Sequence, residues 1–179
     1  MGDAKKMIYG PLELVDGRCG MGDSRRPGGS WVEFRTEGMV RHTGGTEGDL
    51  IPWSRVMMGI CVYIGQTSST MGYAGEVGVM GILGGLPGPF KGRFGGNLRM
   101  TLRHPYEDHD LTFDRHAHWY KPTHVMLLAG MMKYTVDAGE PHRLGDTDWL
   151  WWAVGRLEAV TSWPKWQRPE TVVQAALED

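Results

Sequence analysis

The chain has 179 residues, a length typical of a single domain. Its 21 acidic and 19 basic residues give a net charge of −2, a balance that argues against binding nucleic acids or anionic lipids through a basic surface. No stretch approaches the roughly 18 apolar residues of a membrane span, and the N-terminal sequence MGDAKKMIYG lacks the apolar region of a secretory signal, so we expect a cytoplasmic protein that does not bind membranes.

The first part of the chain, residues 7–114, is dominated by short strand patterns. Residues 30–35 alternate between two sets of side chains, a period of two that is typical of a half-buried strand. Glu37 and Gly38 form a hairpin signal directly after it. Comparable patterns predict further strands at 7–15, 39–42, 50–54, 55–64, 98–103 and 109–114.

Glycine dominates the segment 65–96, which holds eleven glycines and the sequence GILGGLPGPFKGRFGG. Loops longer than about 12–15 residues without secondary structure are uncommon in compact domains and are usually functional or disordered. We therefore interpret this segment as a mobile flap. The cationic side chains of Lys91 and Arg93 could attract an anionic ligand beneath it. The glycine runs resemble phosphate loops only weakly, because a strand pattern follows where a helix is needed.

Helices follow the strands. An apolar face formed by every third or fourth residue predicts a helix over 122–138 that caps the sheet. Gly139 is a suitable stop for this helix because glycine readily adopts the left-handed conformation. A helical extension is predicted over 147–177, with Asp146 or Thr147 as the cap of its first helix. The residues expected to face the core are Val125, Leu128, Met132, Val136, Leu150, Val154 and Leu157.

The order of these elements predicts an α+β protein, mainly β, in one domain. The sequence VEFRTEGMVRHTGG followed by LIPWSRVMMG resembles small bacterial members of the pleckstrin-homology-like (PH-like) superfamily. This resemblance covers residues 30–139. It implies a bent antiparallel sheet, or partly open barrel, of six to seven strands that is closed by the C-terminal helix. The glycine-rich insertion and the further C-terminal helices depart from the compact pattern of that superfamily.

Five polar residues near the end of the strand region are candidates for acid–base catalysis. A histidine beside a carboxylate titrates near neutral pH and so can transfer protons. His116 and His118 lie on one side of an extended segment, and that spacing could also bind a metal with a third ligand. We nevertheless expect no metal and no cofactor, because the sequence has neither an HExxH motif nor a cysteine-rich pair. The five candidates are His104, His109, Asp114, His116 and His118.

Two hypotheses of function follow. The first is a PH-like module that binds a partner protein, a peptide or a hydrophobic small molecule in a cleft beside the glycine-rich flap. The alternative is a small cofactor-independent enzyme of specialised biosynthesis, in which the His and Asp groups act on an apolar substrate at the mouth of the barrel. Histidines that converge on an apolar pocket would favour the enzyme. The candidate ligand-binding residues are Trp53, Lys91, Arg93, Phe94, Trp119 and Tyr120.

Tryptophans and cysteines complete the predictions. Trp149 and Trp151 point about 100° to either side of Leu150 on a helix, so a single sheet face cannot cover both. We therefore expect a surface that contacts the flap or a second copy of the chain, which makes a homo-oligomer possible. Cys61 lies in an apolar run and is expected to be a buried thiol.

Overall fold

The computed structural model describes residues 6–64, 95–164 and 166–178, and in these ranges nine strands precede three α-helices. This order confirms the predicted α+β class, mainly β and antiparallel, with C-terminal helices. The helices are α1 (Pro122–Asp137), α2 (Thr147–Glu158) and α3 (Pro169–Glu178). The strands are β1 (Met7–Tyr9), β2 (Leu12–Val15), β3 (Arg18–Met21), β4 (Ser30–Arg35), β5 (Gly38–Thr43), β6 (Thr46–Pro52), β7 (Cys61–Ile64), β8 (Gly96–Leu102) and β9 (Glu107–Phe113).

Strands β1 to β6 form one antiparallel sheet in which the strands follow their order in the chain. Short turns allow this arrangement. Gly44 and Gly45 both have positive φ angles, of 60° and 83°, as a tight two-residue hairpin between β5 and β6 requires. Alternate residues give the sheet two different faces. One face is apolar and packs in the core, with Leu12, Leu14, Cys19, Met21, Val32, Phe34 and Met39.

Strands β7, β8 and β9 form a second antiparallel sheet. It is joined to the first sheet where β9 ends beside the start of β4. The main-chain N–H of Asp114 donates to the carbonyl of Ser30 at 2.7 Å, and the Asp114 carboxylate accepts the main-chain N–H of Ser30 at 2.7 Å. The described strands therefore form two connected sheets that are not closed into a barrel.

Two differences from the predicted strands have clear local causes. Residues 55–64 do not form one strand, because a 3-10 helix occupies Trp53–Arg55 and Val56 pairs only as an isolated bridge with Leu102. Strand β7 is the remaining part of that run. The segment between the strands predicted at 7–15 and 30–35 also contains a strand, β3, which lies between β2 and β4.

The C-terminal helices begin and end with the expected signals. Helix α1 has a proline in its first turn, and Gly139 follows it with a φ of 73°. Leu128 is fully buried on its core face. The Asp146 carboxylate caps α2 by accepting the N–H groups of Asp148 and Trp149. Within the described parts of the chain, no helix combines the length and the apolarity needed to cross a membrane.

The predicted flap lies mostly outside the described residues, which resume at Gly95. Gly96 is already part of β8. A side chain there would clash, since an added Cβ would be 2.2 Å from the Phe113 ring. The tryptophans near the C-terminus differ in their solvent exposure. Trp149 and Trp151 are half-buried against the core of the same chain, whereas Trp152 and Trp166 are 45% and 84% exposed.

Candidate functional site

The loop after β9 returns to the polar face of the six-stranded sheet and brings His116 to Glu13. Both side chains are buried, and Nε2 of His116 lies 3.0 Å from Oε2 of Glu13. The other carboxylate oxygen of Glu13 accepts the main-chain N–H of Ser24 at 2.8 Å. These hydrogen bonds to the charged form outweigh burial and lower the pKa of Glu13. Glu13 is therefore a carboxylate at neutral pH.

Tyr120 holds the opposite side of the His116 ring. Its hydroxyl lies 2.9 Å from Nδ1 of His116 and also accepts the main-chain N–H of that residue at 2.9 Å. Because the Glu13 carboxylate can only accept, Nε2 of His116 is the donor in that pair. In a neutral imidazole, Nδ1 then accepts the proton of the Tyr120 hydroxyl. Burial raises the pKa of Tyr120 to about 12, so the phenol keeps this proton at neutral pH.

Aromatic and cationic groups surround this Tyr120–His116–Glu13 relay. The ring of His118 lies 5.1 Å from that of His116, measured between centroids. Partial burial is the main cause that lowers the pKa of His118, and the neighbouring His116 lowers it further. The guanidinium of Arg115 lies 5.1 Å from the centre of the Tyr120 ring and 5.9 Å from that of Trp119. Trp119 itself is 58% exposed.

The five predicted catalytic residues do not form one group. His116 and His118 meet, and Asp114 stands beside them in sequence but uses its carboxylate to bind Ser30. His104 and His109 lie at the opposite end of the β8–β9 hairpin. The extended chain from His109 to Phe113 alone spans about 13 Å.

A second buried carboxylate–histidine pair lies on the same face of the sheet. Oε2 of Glu33 is 2.9 Å from Nε2 of His42. The guanidinium of Arg35 also binds this oxygen, at 2.6 Å, and reaches Glu47 at 2.9 Å. The ring of His42 stacks on that of Trp31 at 4.3 Å. Although burial opposes it, the hydrogen bonds from Arg35 and His42 lower the pKa of Glu33.

The indole of Trp31 explains how polar groups become buried on an outward sheet face. Gly20 lies between Glu13 and Glu33 in the cross-strand register. A Cβ on Gly20 would be 2.3 Å from the carbonyl oxygen of Val32 and 3.1 Å from two atoms of the Trp31 ring, so the missing side chain allows the main chain of β4 and the indole to approach this position. A cavity of about 270 Å³ remains beside it, lined by Glu13, Val15, Asp16, Arg18, Gly20, Ser24, Arg25 and Trp31.

A second, mainly apolar groove of about 290 Å³ lies between β7 and the helices α1 and α3. Helix α1 lines one side of this groove with Met126, Ala129, Gly130 and Lys133. Gly130 permits the close approach of α3, since an added Cβ would be 3.0 Å from the main chain of Pro169. The groove is lined by Met58, Gly59, Ile60, Cys61, Val62, Tyr63, Met126, Ala129, Gly130, Lys133, Pro169 and Glu170.

The two cysteines differ in their solvent exposure. Cys61 is exposed, contrary to the sequence-based expectation. It is the first residue of β7. Cys19 is buried, and its thiol donates to the carbonyls of Phe34 and Leu144. Burial raises the pKa of Cys19 to about 12.

The predicted ligand-binding residues lie elsewhere. Trp53 is buried, and its indole N–H donates to the carbonyl of Arg35 at 2.8 Å. Trp119 and Tyr120 belong to the surroundings of the relay and do not line the apolar groove. The remaining three, Lys91, Arg93 and Phe94, lie outside the described residues.

Sequence reasoning missed Glu13 and the groove. Glu13 alternates with two leucines in β2, a pattern that indicates a solvated side chain. Its partner His116 is 103 residues away in the chain, so no local spacing could reveal the pair. Comparisons with known proteins add no family: no protein-family model matches the chain, and no match was found among curated proteins or solved structures.

Proposed function

We propose that the protein is a PH-like binding module whose ligand is an extended, apolar segment of a partner polypeptide. The observation that carries this proposal is the apolar groove along β7. Ligand sites are typically concave, mainly apolar and marked by a few polar groups. Lys133 and Glu170 are the charged residues of this groove. Its volume of about 290 Å³ suits one or two large side chains better than a whole drug-sized molecule.

Strand β7 favours a polypeptide over a compact small molecule. It pairs with β8 on one side, and no other described strand pairs with its outer edge. An extended peptide can bind along such an edge through its main chain while its side chains enter pockets. The stripe of α1 that faces the groove supplies the opposite wall. Methionines at this site adapt to varied apolar shapes because their side chains are flexible and polarisable.

The enzyme alternative has weaker support. No histidine is among the described residues that line the apolar groove. The buried relay borders the other cavity, which has a polar lining. Both ring nitrogens of His116 are already hydrogen-bonded, one to Glu13 and one to Tyr120. A substrate would have to displace one of these partners before His116 could act on it.

A peptide selection with a blocked groove tests the proposal. Ala129 lines the groove and is half-buried, so Ala129→Trp would fill it. Ala175→Trp, on an exposed position of α3, is the matched control. We expect a random peptide library to yield apolar sequences that bind the wild type and Ala175→Trp equally. Their affinity for Ala129→Trp should fall at least tenfold while its thermal unfolding midpoint stays close to that of the control.

Cys61 provides a reporter for the same experiment. Its exposed thiol lines the groove, whereas Cys19 is buried and stays protonated at neutral pH. A polarity-sensitive fluorophore attached to Cys61 should change its emission when a selected peptide binds. Selected peptides that bind the blocked variant as well as the wild type would reject the groove as the site. Binding of apolar small molecules without any peptide would reject the polypeptide ligand.

A further inference from the structure

Three side chains of metal-binding type converge where the loop after β9 meets β2. Glu13, Asp23 and His116 each bring one ligand atom within 4.8 Å of the other two. Oε2 of Glu13 and Nε2 of His116 now lie at a hydrogen-bond distance of 3.0 Å. Adjacent ligands of a tetrahedral ion bonded at about 2.1 Å are roughly 3.4 Å apart, so a small outward shift of these two side chains would admit an ion.

The protein holds the two buried ligands in orientation. A metal ion binds the lone pair of a deprotonated Nε2, so the ring must change to the tautomer in which Nδ1 carries the proton. Nδ1 then donates to the Tyr120 hydroxyl, and this contact directs Nε2 towards the cluster. The main-chain N–H of Ser24 engages one oxygen of Glu13 and leaves the other directed at the same point. Metal-binding histidines are usually held in this way by a hydrogen bond to the second ring nitrogen.

Charge also favours a cation here. His116 forms an ion pair with Glu13 when it is protonated. With a neutral imidazole, the two carboxylates carry two negative charges. The nearest arginines lie around the cluster, with Arg115 beside the Tyr120 ring and Arg18 and Arg25 in the adjoining cavity. The second cluster of this kind, Glu33 with His42 and Glu47, is different because the guanidinium of Arg35 already binds both of its carboxylates. The positive charge of that arginine opposes a second cation.

We propose that Glu13, Asp23 and His116 form a binding site for a divalent transition-metal ion such as zinc. One imidazole nitrogen and two carboxylates suit Zn²⁺, Mn²⁺ or Fe²⁺, while Ca²⁺ and Mg²⁺ prefer ligand sets made of oxygen alone. Three protein ligands leave at least one coordination position open, as in catalytic metal sites. Glu13 also lines the cavity of about 270 Å³, so an external ligand has space beside the ion.

This proposal is independent of the apolar groove and differs from the sequence-based expectation of no metal. The further ligands come from Glu13 and Asp23, which are far from His116 along the chain. The proposed ion would join the first sheet to the loop that follows the second.

Zinc titration of untagged protein tests the site. The protein is stripped with a chelator, and ZnCl₂ is titrated by calorimetry beside MgCl₂. Asp23→Asn is the main variant, because an asparagine oxygen can keep the hydrogen bond from the Arg25 N–H while the ligand charge is lost. Glu47→Gln is its matched control from the second cluster. We expect one zinc ion per chain, affinity at least tenfold weaker in Asp23→Asn, and unchanged affinity in Glu47→Gln.

A second measurement identifies the ligand directly. Long-range ¹H–¹⁵N spectra of the histidine rings should show one ring, assigned through His116→Gln, shifting first on zinc addition. Tyr120→Phe should weaken zinc binding about 10- to 100-fold, since it removes the group that orients the ring. The proposal is overturned by the absence of stoichiometric zinc binding, by equal losses in Asp23→Asn and Glu47→Gln, or by shifts confined to exposed rings such as that of His104.

Discussion

Two buried glutamate–histidine pairs lie on the same face of one sheet and yet have different surroundings. The contact distances are nearly equal, at 3.0 Å for Glu13–His116 and 2.9 Å for Glu33–His42. The two glutamates stand in cross-strand register with Gly20 between them, about 10 Å apart. Their difference therefore does not come from residue type, contact distance or position on the face.

The difference lies in what neutralises each carboxylate. Glu33 is bound by the guanidinium of Arg35 and lies 3.6 Å from that of Arg18. Glu13 is held by a main-chain N–H and by an imidazole that Tyr120 orients. The first arrangement keeps its charge balance permanently, because arginine stays protonated. In the second arrangement, the proposed metal ion would take the place of the proton on Nε2 of His116. The different neighbours therefore make only one of these two similar glutamate–histidine pairs a candidate metal site.

The largest difference should appear when each glutamate is removed. Glu13→Ala leaves the N–H groups of the half-buried Ser24 and the buried His116 without acceptors, and we expect a loss of about 3 kcal/mol or more in the free energy of unfolding. Glu33→Ala should cost less, because Arg35 keeps Glu47 as a partner and its side chain is 29% exposed. Urea unfolding followed by tryptophan fluorescence measures both. Equal losses would show that the arginines do not distinguish the two pairs.

The Tyr120 hydroxyl should have the next largest effect. Tyr120→Phe removes the acceptor of the His116 main-chain N–H and the partner of Nδ1, and we expect a loss of about 1–3 kcal/mol. Tyr134→Phe is the control, because its hydroxyl makes only a long, exposed contact of 3.4 Å with Glu178. The same urea measurement applies. A Tyr120→Phe variant as stable as the control would show that the relay does not stabilise the loop after β9.

The sequence predicted local elements well and distant contacts poorly. Strand β4 and helix α1 were predictable because alternation, an initial proline and a final glycine are local signals. The burial of Glu13 depends on a loop about a hundred residues later. The histidines illustrate the reverse error. His109 and His116 are close in sequence, but the extended strand β9 carries them apart, so nearness in the chain did not indicate a shared site.

The pH dependence of stability is a property that the two pairs should share. Both carboxyl groups have lowered pKa values in the folded protein. Each therefore contributes stability that is complete above its unfolded pKa of about 4.3 and is lost as the pH falls through the lowered value. Glu13→Gln and Glu33→Gln should both flatten the loss of stability as the pH falls below about 4.3. Urea unfolding at a series of pH values checks this, and a curve as steep as that of the wild type would contradict it.

The smallest effect should come from salt, and it should be confined to the arginine-bound pair. The outer ion pair of that cluster, Arg35–Glu47, has side-chain exposures of 29% and 54%, so dissolved ions screen it. Glu47→Gln should therefore lower stability slightly in dilute buffer, and the difference from the wild type should disappear in 0.5 M NaCl, which is roughly the concentration at which screening acts within about 4 Å. The difference between Tyr120→Phe and the wild type should persist in the same salt, since the hydrogen bonds of His116 are buried. Urea unfolding of both variants at low and high salt measures the contrast. If salt removed the effect of Tyr120→Phe as well, the relay would be open to solvent. The two pairs would then differ only in how much they contribute to the free energy of unfolding.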